Sequence, residues 1–135
     1  MSLSLADALS HYRAVSETTH KFWGYFQAVA AGTAAFAWSR EKSGEVELFV
    51  FVSIAFTVFA VLNWRLVVSS QAEAVSAAQC VKNNAATLDA AVPADLLPII
   101  QRVSPDAAPL VGLWHAGLSL ATLGAVWWRY YSLCH

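Results

Sequence analysis

Residues 48–64 read LFVFVSIAFTVFAVLNW, an apolar run without Asp, Glu, Lys or Arg that lies between Glu47 and Arg65. Crossing the hydrocarbon core of a bilayer takes about 20 predominantly apolar residues, with a range of about 17–25. Two further stretches, 22–39 and 107–128, also lack these charged residues. A soluble bundle with buried core helices is the alternative. The pattern predicts an all-α integral membrane protein with three transmembrane helices.

The composition of the 135-residue chain agrees with a membrane location: 58% of its residues are hydrophobic and only 13% are charged. Soluble domains average about 45–50% apolar and about 25% charged residues. The chain therefore has few polar residues with which to cover a soluble surface. Its formal net charge is -1, and it has no polybasic segment that would neutralise phosphates. The composition argues against a soluble enzyme, a disordered segment and a nucleic-acid binder, and the expected partner is the lipid bilayer.

The six tryptophans lie near the ends of the three uncharged stretches. Trp and Tyr concentrate at the two membrane interfaces, because their amphipathic rings suit the headgroup level. A soluble core would more naturally place large aromatic side chains in the middle of its helices. The predicted interfacial anchors are Trp23, Trp38, Trp64, Trp114, Trp127 and Trp128.

The chain is interpreted as a single domain, 1–135, whose spans carry helical extensions on one side. Ser4 is the expected N-cap of the first helix, with Asp7 in its first turn. The second helix is expected to extend several turns past the bilayer, because no Gly or Pro follows Arg65 until Pro93. The predicted segments are an N-terminal extramembrane helix at 4–20, the first span at 21–39, the second span at 46–67, an extramembrane helical loop at 68–108, the third span at 109–129 and a short C-terminal tail at 130–135.

The distribution of positive charge predicts how these spans are oriented. Cytoplasmic loops carry an excess of Lys and Arg. On the side of the N-terminus and the long loop, the positive residues are Arg13, Lys21, Arg65, Lys82 and Arg102; on the other side they are Arg40, Lys42 and Arg129. The excess places the N-terminus and the long loop in the cytoplasm and the C-terminus on the opposite side.

Small residues recur at every fourth position in the first and third spans. These helix-packing candidates are Gly24, Ala28 and Gly32 in the first span and Gly117, Ala121 and Ala125 in the third. Such stripes let helix backbones approach closely, which favours association in a membrane. They predict either packing of the first span on the third within one chain or a seam with another membrane-protein chain.

His115 is the one strongly titratable side chain within the three uncharged stretches. An intramembrane histidine suggests proton transfer, a pore lining, haem ligation or a hydrogen bond between helices. For haem, the nearest same-side histidine, His20, is expected about 10 Å shallower along the helical rise. No Cys/His pair has the spacing of a metal site. The sequence therefore predicts neither a cofactor nor a bound metal.

Two amides also lie within the predicted spans, Gln27 and Asn63. Both are costly to expose to lipid and are expected to face protein. Each lies about one turn into its helix near the same membrane face, so a direct bond between them is conceivable. A pore lined by Thr33, Thr57 and Thr122 would require several copies of the chain, because three spans cannot enclose a water-filled path.

No enzyme motif is present, and the one nucleophile–base pair, Ser119 with His115, lacks an orienting third group. The sequence predicts a non-enzymatic membrane protein that acts as an assembly subunit of a homo-oligomer or of a larger membrane complex. The alternatives are a homo-oligomeric pore or channel-like membrane effector, and a cofactor or proton relay through His115.

Overall fold

The computed structural model describes residues 4–41, 46–87 and 97–135. These residues form four α-helices and no strand, which confirms the all-α prediction. The helices are α1 (Leu5–Trp38), α2 (Val46–Thr87), α3 (Leu97–Gln101) and α4 (Ala108–Cys134). The connection between α1 and α2 includes residues 42–45, which lie outside the described residues.

Helix α1 is a continuous 34-residue helix that contains both the N-terminal segment and the first uncharged stretch. The Ser4 side chain accepts a hydrogen bond from the backbone N–H of Asp7 at 3.2 Å, so Ser4 is the N-cap that the sequence predicts. No glycine interrupts the first half of the helix. At the other end, the N–H of Ser39 donates to the carbonyl oxygen of Ala35 at 2.9 Å.

Helix α2 is 42 residues long and contains neither Gly nor Pro. At a rise of about 1.5 Å per residue it extends over about 60 Å, twice the thickness of a typical hydrocarbon core. Helix α3 is a short helix of 5 residues within the extramembrane helical loop predicted at 68–108. Helix α4 begins with Pro109 in its first turn, where a missing N–H leaves no helical bond unmade.

Helices α1 and α2 pack side by side and antiparallel along their length. Three clusters of buried residues join the helices: Ala8, Val81, Ala85 and Ile100; Phe26, Phe56 and Ala60; and Ala37, Phe49 and Val126. From one cluster to the next the residue numbers rise along α1 and fall along α2. The N-terminal half of α1 therefore lies against the C-terminal half of α2, and the uncharged halves of both helices lie together.

Helix α4 completes a three-helix bundle by packing against these uncharged halves. At one end, the indole Nε1 of Trp64 donates to the carbonyl oxygen of Gly112 at 3.3 Å. A Cβ atom at Gly112 would lie 3.0 Å from that nitrogen, so the close approach depends on glycine. At the other end, the Arg129 guanidinium donates to the carbonyl oxygen of Arg40 at 2.7 Å.

Two helices are long and apolar enough to cross a membrane, over Val46–Ala86 and Ala108–Cys134. In each, only 22% of the most apolar window is buried inside the bundle. Large apolar side chains such as Phe51 and Leu120 point outward and are each 69% exposed. These exposed faces suit a lipid environment. Helix α1 does not reach the same apolarity, because its uncharged stretch is rich in alanine and glycine.

Candidate functional site

The buried polar side chains of the described residues join neighbouring elements of the bundle. They are Thr19, Asn63, Ser70, Gln71 and His115. The hydroxyls of Thr19 and Ser70 are hydrogen-bonded between α1 and α2. The Gln71 amide donates to the carbonyl oxygen of Asp106 at 2.8 Å, which ties α2 to the segment before α4. Satisfied buried polar groups of this kind fix the register of packed helices.

His115 is at the centre of the bundle and is only 1% exposed. The side-chain nitrogen of Asn63 lies 3.1 Å from its Nε2. An amide N–H₂ group only donates, so Nε2 accepts and the neutral ring carries its proton on Nδ1. Ser119 Oγ lies 3.5 Å from Nδ1, and its own hydroxyl donates to the backbone oxygen of His115 at 2.8 Å. The arrangement holds a neutral imidazole between α2 and α4.

Aromatic side chains from α1 close one side of this histidine. The Phe26 and His115 ring centroids are 4.0 Å apart, and the Trp23 ring centroid is 5.7 Å from that of His115. His115 and Ser119 also border a groove of about 290 Å³ between α2 and α4. The other residues that line this groove are mostly apolar: Phe56, Thr57, Ala60, Val61, Trp64, Ala116, Leu120 and Leu123.

The partner of Asn63 differs from the one considered in the sequence analysis. The direct bond between Gln27 and Asn63 that the sequence suggested is not formed. Gln27 is exposed on α1, whereas Asn63 is buried against α4. Gln27 follows the buried Phe26, and the step of about 100° between successive helical residues turns its side chain outward. Among the options for His115, the geometry therefore fits the hydrogen bond between helices.

The hydroxyl groups of Ser119, Thr57 and Thr122, which the sequence suggested for catalysis or a pore lining, are hydrogen-bonded within their own helices. The Ser119 hydroxyl donates to a backbone carbonyl rather than to the imidazole. The hydroxyls of Thr57 and Thr122 likewise donate to carbonyl oxygens of their own helices. Within residues 4–41, 46–87 and 97–135, no group of three or more His, Cys, Asp or Glu side chains is arranged to hold a metal ion.

The small-residue stripes lie on outward faces of the bundle. Gly24, Ala28 and Gly32 are exposed, as are Gly117 and Ala121, whereas Ala125 is half-buried. A Cβ atom added at Gly24, Gly32 or Gly117 would meet nothing within 4 Å. The stripes therefore do not form the contact between α1 and α4. Other pairs form that contact, such as Phe26 with His115 and Ala37 with Val126.

The tryptophans lie at two levels of the bundle. Trp23, Trp64 and Trp114 are near His115 and Gly112, while Trp38, Trp127 and Trp128 are near the other end. At the second level, the Arg129 guanidinium lies 5.5 Å from the Trp38 ring centroid. Along α4, the two levels are separated by about 20 Å. All of these rings except Trp23 are more than one third exposed.

Several residues that organise this site have no distinguishing signal in the sequence. Thr19, Ser70 and Gln71 lie among many other polar residues, and nothing in their spacing indicates that they bond across helices. Gly112 does have a signal in the sequence, because a glycine near a predicted helix start suggests that another element approaches the backbone closely.

These observations define an all-helical bundle with two helices long and apolar enough to cross a membrane and a buried histidine–asparagine pair at its centre. In comparisons with known proteins, no family model, curated protein or solved structure matches the chain.

Proposed function

We propose that the protein is a non-enzymatic, three-span membrane protein that assembles with further copies of itself through the exposed small-residue face of α1. The observation that carries this proposal is the open surface at Gly24, Ala28 and Gly32, which lies beside the exposed amide of Gln27.

The packing of α1 on α2 supports a third span that the apolarity of α1 alone does not indicate. Phe26 packs with Phe56, and Ala37 packs with Phe49, so the stretch 22–39 lies alongside the apolar half of α2. If the apolar half of α2 crosses a bilayer, the stretch 22–39 of α1 beside it lies within the bilayer as well. The two tryptophan levels, each of which includes one tryptophan of α1, agree with this placement.

The exposed Gln27 favours the packing of this side of α1 against another protein rather than against lipid. Its amide is exposed at the edge of the stripe, about 60° around the helix from Gly24 and about 100° from Ala28. An unpaired amide in hydrocarbon is costly, and small residues beside it let a second backbone come close. In a two-fold dimer the same patch occurs on both subunits, so each Gln27 would meet its counterpart. Assembly would thus satisfy the amides and cover the stripe.

The three-span topology predicts that the two ends of α1 lie on opposite sides of the membrane. We expect a membrane-impermeant maleimide applied to intact cells to label Glu41→Cys, in a background where Cys80 and Cys134 are replaced by serine. Ser10→Cys should react only after permeabilisation, because the N-terminus is predicted to be cytoplasmic. Both positions are exposed, so reactivity reports their location. Labelling of both from the same side would contradict the third span, and the reversed pattern would contradict the orientation.

Gly32→Leu is expected to convert the oligomer to a monomer, because a leucine at the seam keeps the two backbones apart. Native mass spectrometry in a mild detergent measures the change. Gly124→Leu is a matched control, since Gly124 lies on α4 and a Cβ there also meets nothing within 4 Å. The control should keep the wild-type mass. A monomeric wild type, or a loss of assembly only in the control, would contradict the proposal.

A further inference from the structure

A cavity of about 420 Å³ lies where α1, α2, the start of α4 and the segment 104–106 meet. Along α1 it extends from Tyr12 to Trp23, which is about 16 Å of helix. Trp23 and Trp114, at its inner end, belong to one of the two tryptophan levels described above. In the membrane placement proposed above, on which this step rests, the cavity opens at the depth of lipid headgroups. The proposed assembly face does not depend on the cavity.

Three aromatic side chains line this cavity, Tyr12, Trp23 and Trp114. Trp23 is held in place by neighbouring rings, since its centroid lies 6.0 Å from that of Phe26 and 5.7 Å from that of His115. Aromatic faces attract cations, and several of them around one space are the usual means by which proteins recognise quaternary ammonium groups.

Asp106 gives the cavity a negative charge. Among the described lining residues it is the one that is formally charged when histidine is neutral. Its backbone oxygen accepts the 2.8 Å hydrogen bond from Gln71, which is itself buried, so the segment that carries the carboxylate is anchored to α2. A single acidic residue at a cavity with aromatic lining suits an organic cation better than Ca²⁺ or Mg²⁺, because these ions require several oxygen ligands.

We propose that this cavity binds an alkylammonium cation at its inner end, with Asp106 neutralising its charge and the rings of Trp23 and Trp114 contacting its carbon atoms, while Tyr12 lines the outer end. The same chemistry is present in the ammonium headgroup of a membrane lipid and in a soluble quaternary ammonium compound. His20 and Ser16, which also line the cavity, offer polar atoms to the remainder of such a molecule.

The first experiment titrates the purified protein, in a maltoside detergent, with tetramethylammonium chloride while tryptophan fluorescence is recorded. We expect a saturable change that sodium chloride at the same ionic strength does not produce. Asp106→Asn should weaken the apparent affinity by about tenfold. Glu41→Gln, which removes one negative charge at the far end of α1, should bind as the wild type does.

The second experiment identifies the source of the ammonium group. The protein is incubated with equal amounts of phosphatidylcholine and phosphatidylglycerol, and the retained lipid is read by native mass spectrometry. Preferential retention of phosphatidylcholine that Asp106→Asn removes would assign a lipid headgroup. Tetramethylammonium binding without this preference would assign a soluble compound. The proposal is overturned if neither ligand binds selectively, or if Asp106→Asn binds both as tightly as the wild type.

Discussion

Phe26→Ala should lower the free energy of unfolding by about 3–5 kcal/mol, the range for removing a fully buried phenylalanine. Phe26 is 1% exposed and is a side chain of α1 that contacts both α2 and α4. Its ring centroid lies 4.0 Å from that of His115 on α4 and 6.3 Å from that of Phe56 on α2. The transfer part of this range is absent in a membrane or micelle, because lipid tails are as apolar as the ring, so the lower end, which reflects lost packing, is expected there. Denaturation in mixed micelles measures it.

Tyr25→Ala provides the matched control for this prediction. Tyr25 is the neighbouring aromatic residue on the same helix, but it is 61% exposed. Its replacement removes a similar ring from the outer surface, and the expected change is below about 0.5 kcal/mol. Equal losses for the two variants would contradict the packing of α1 against α2 and α4.

The helices of this fold are largely predictable from sequence, because their signals are local. The N-cap at Ser4 and the lack of Gly and Pro over 46–87 act on neighbouring residues and need no tertiary information. The uncharged run at 48–64 is also a local property. Each of these features predicts a helix before any packing partner is known.

The partners of individual side chains are much less predictable, as Gln27 and Asn63 show. Both amides lie about one turn into an apolar stretch, and depth alone suggested that they could meet. The angular position of each residue on its helix decides the outcome: Asn63 faces α4, while Gln27 lies one residue beyond the buried Phe26 and faces outward. That angle depends on which helix faces pack, and a sequence without a known partner does not specify it.

The cavity beside Asp106 illustrates the same limit on a larger scale. Tyr12, Gln71 and Trp114 come from three different helices, and Asp106 comes from the segment before α4. In the sequence, Asp106 has the appearance of an ordinary solvated loop residue, and Trp114 that of an interfacial anchor. These residues line one cavity because α1 packs against α2 and because Gln71 is hydrogen-bonded to the 104–106 segment.

Helix α1 shows why composition and packing must be considered together. Its alanines and glycines make it the least apolar of the three long helices, yet its buried face follows the apolar half of α2. A helix of this kind depends on protein contacts for its place in a membrane. Its inward face has them within the chain, and its outward face has an exposed glutamine and open glycines. The alanine- and glycine-rich composition of α1 therefore weakens its insertion into a membrane and favours its assembly with another helix.

His115→Ala should lower the free energy of unfolding by about 3 kcal/mol, for two reasons. The ring is almost fully buried against Phe26, so its removal leaves a void. The change also leaves the Asn63 amide without its partner in a buried position, which adds a desolvation penalty. The same micelle denaturation experiment measures this loss.

A double-mutant cycle separates the hydrogen bond from the packing. His115→Phe keeps an aromatic ring, and Asn63→Leu introduces an apolar side chain of similar size, so each alone leaves one buried polar group unpaired. Together they leave none, since both partners are then apolar. We expect the double variant to lose less stability than the sum of the two single variants, by about 0.6–1.7 kcal/mol, as for hydrogen bonds between membrane helices. Strict additivity would mean that Asn63 and His115 do not interact, and the register of α2 against α4 would then rest on the other contacts, such as Trp64 with Gly112 and Phe49 with Val126.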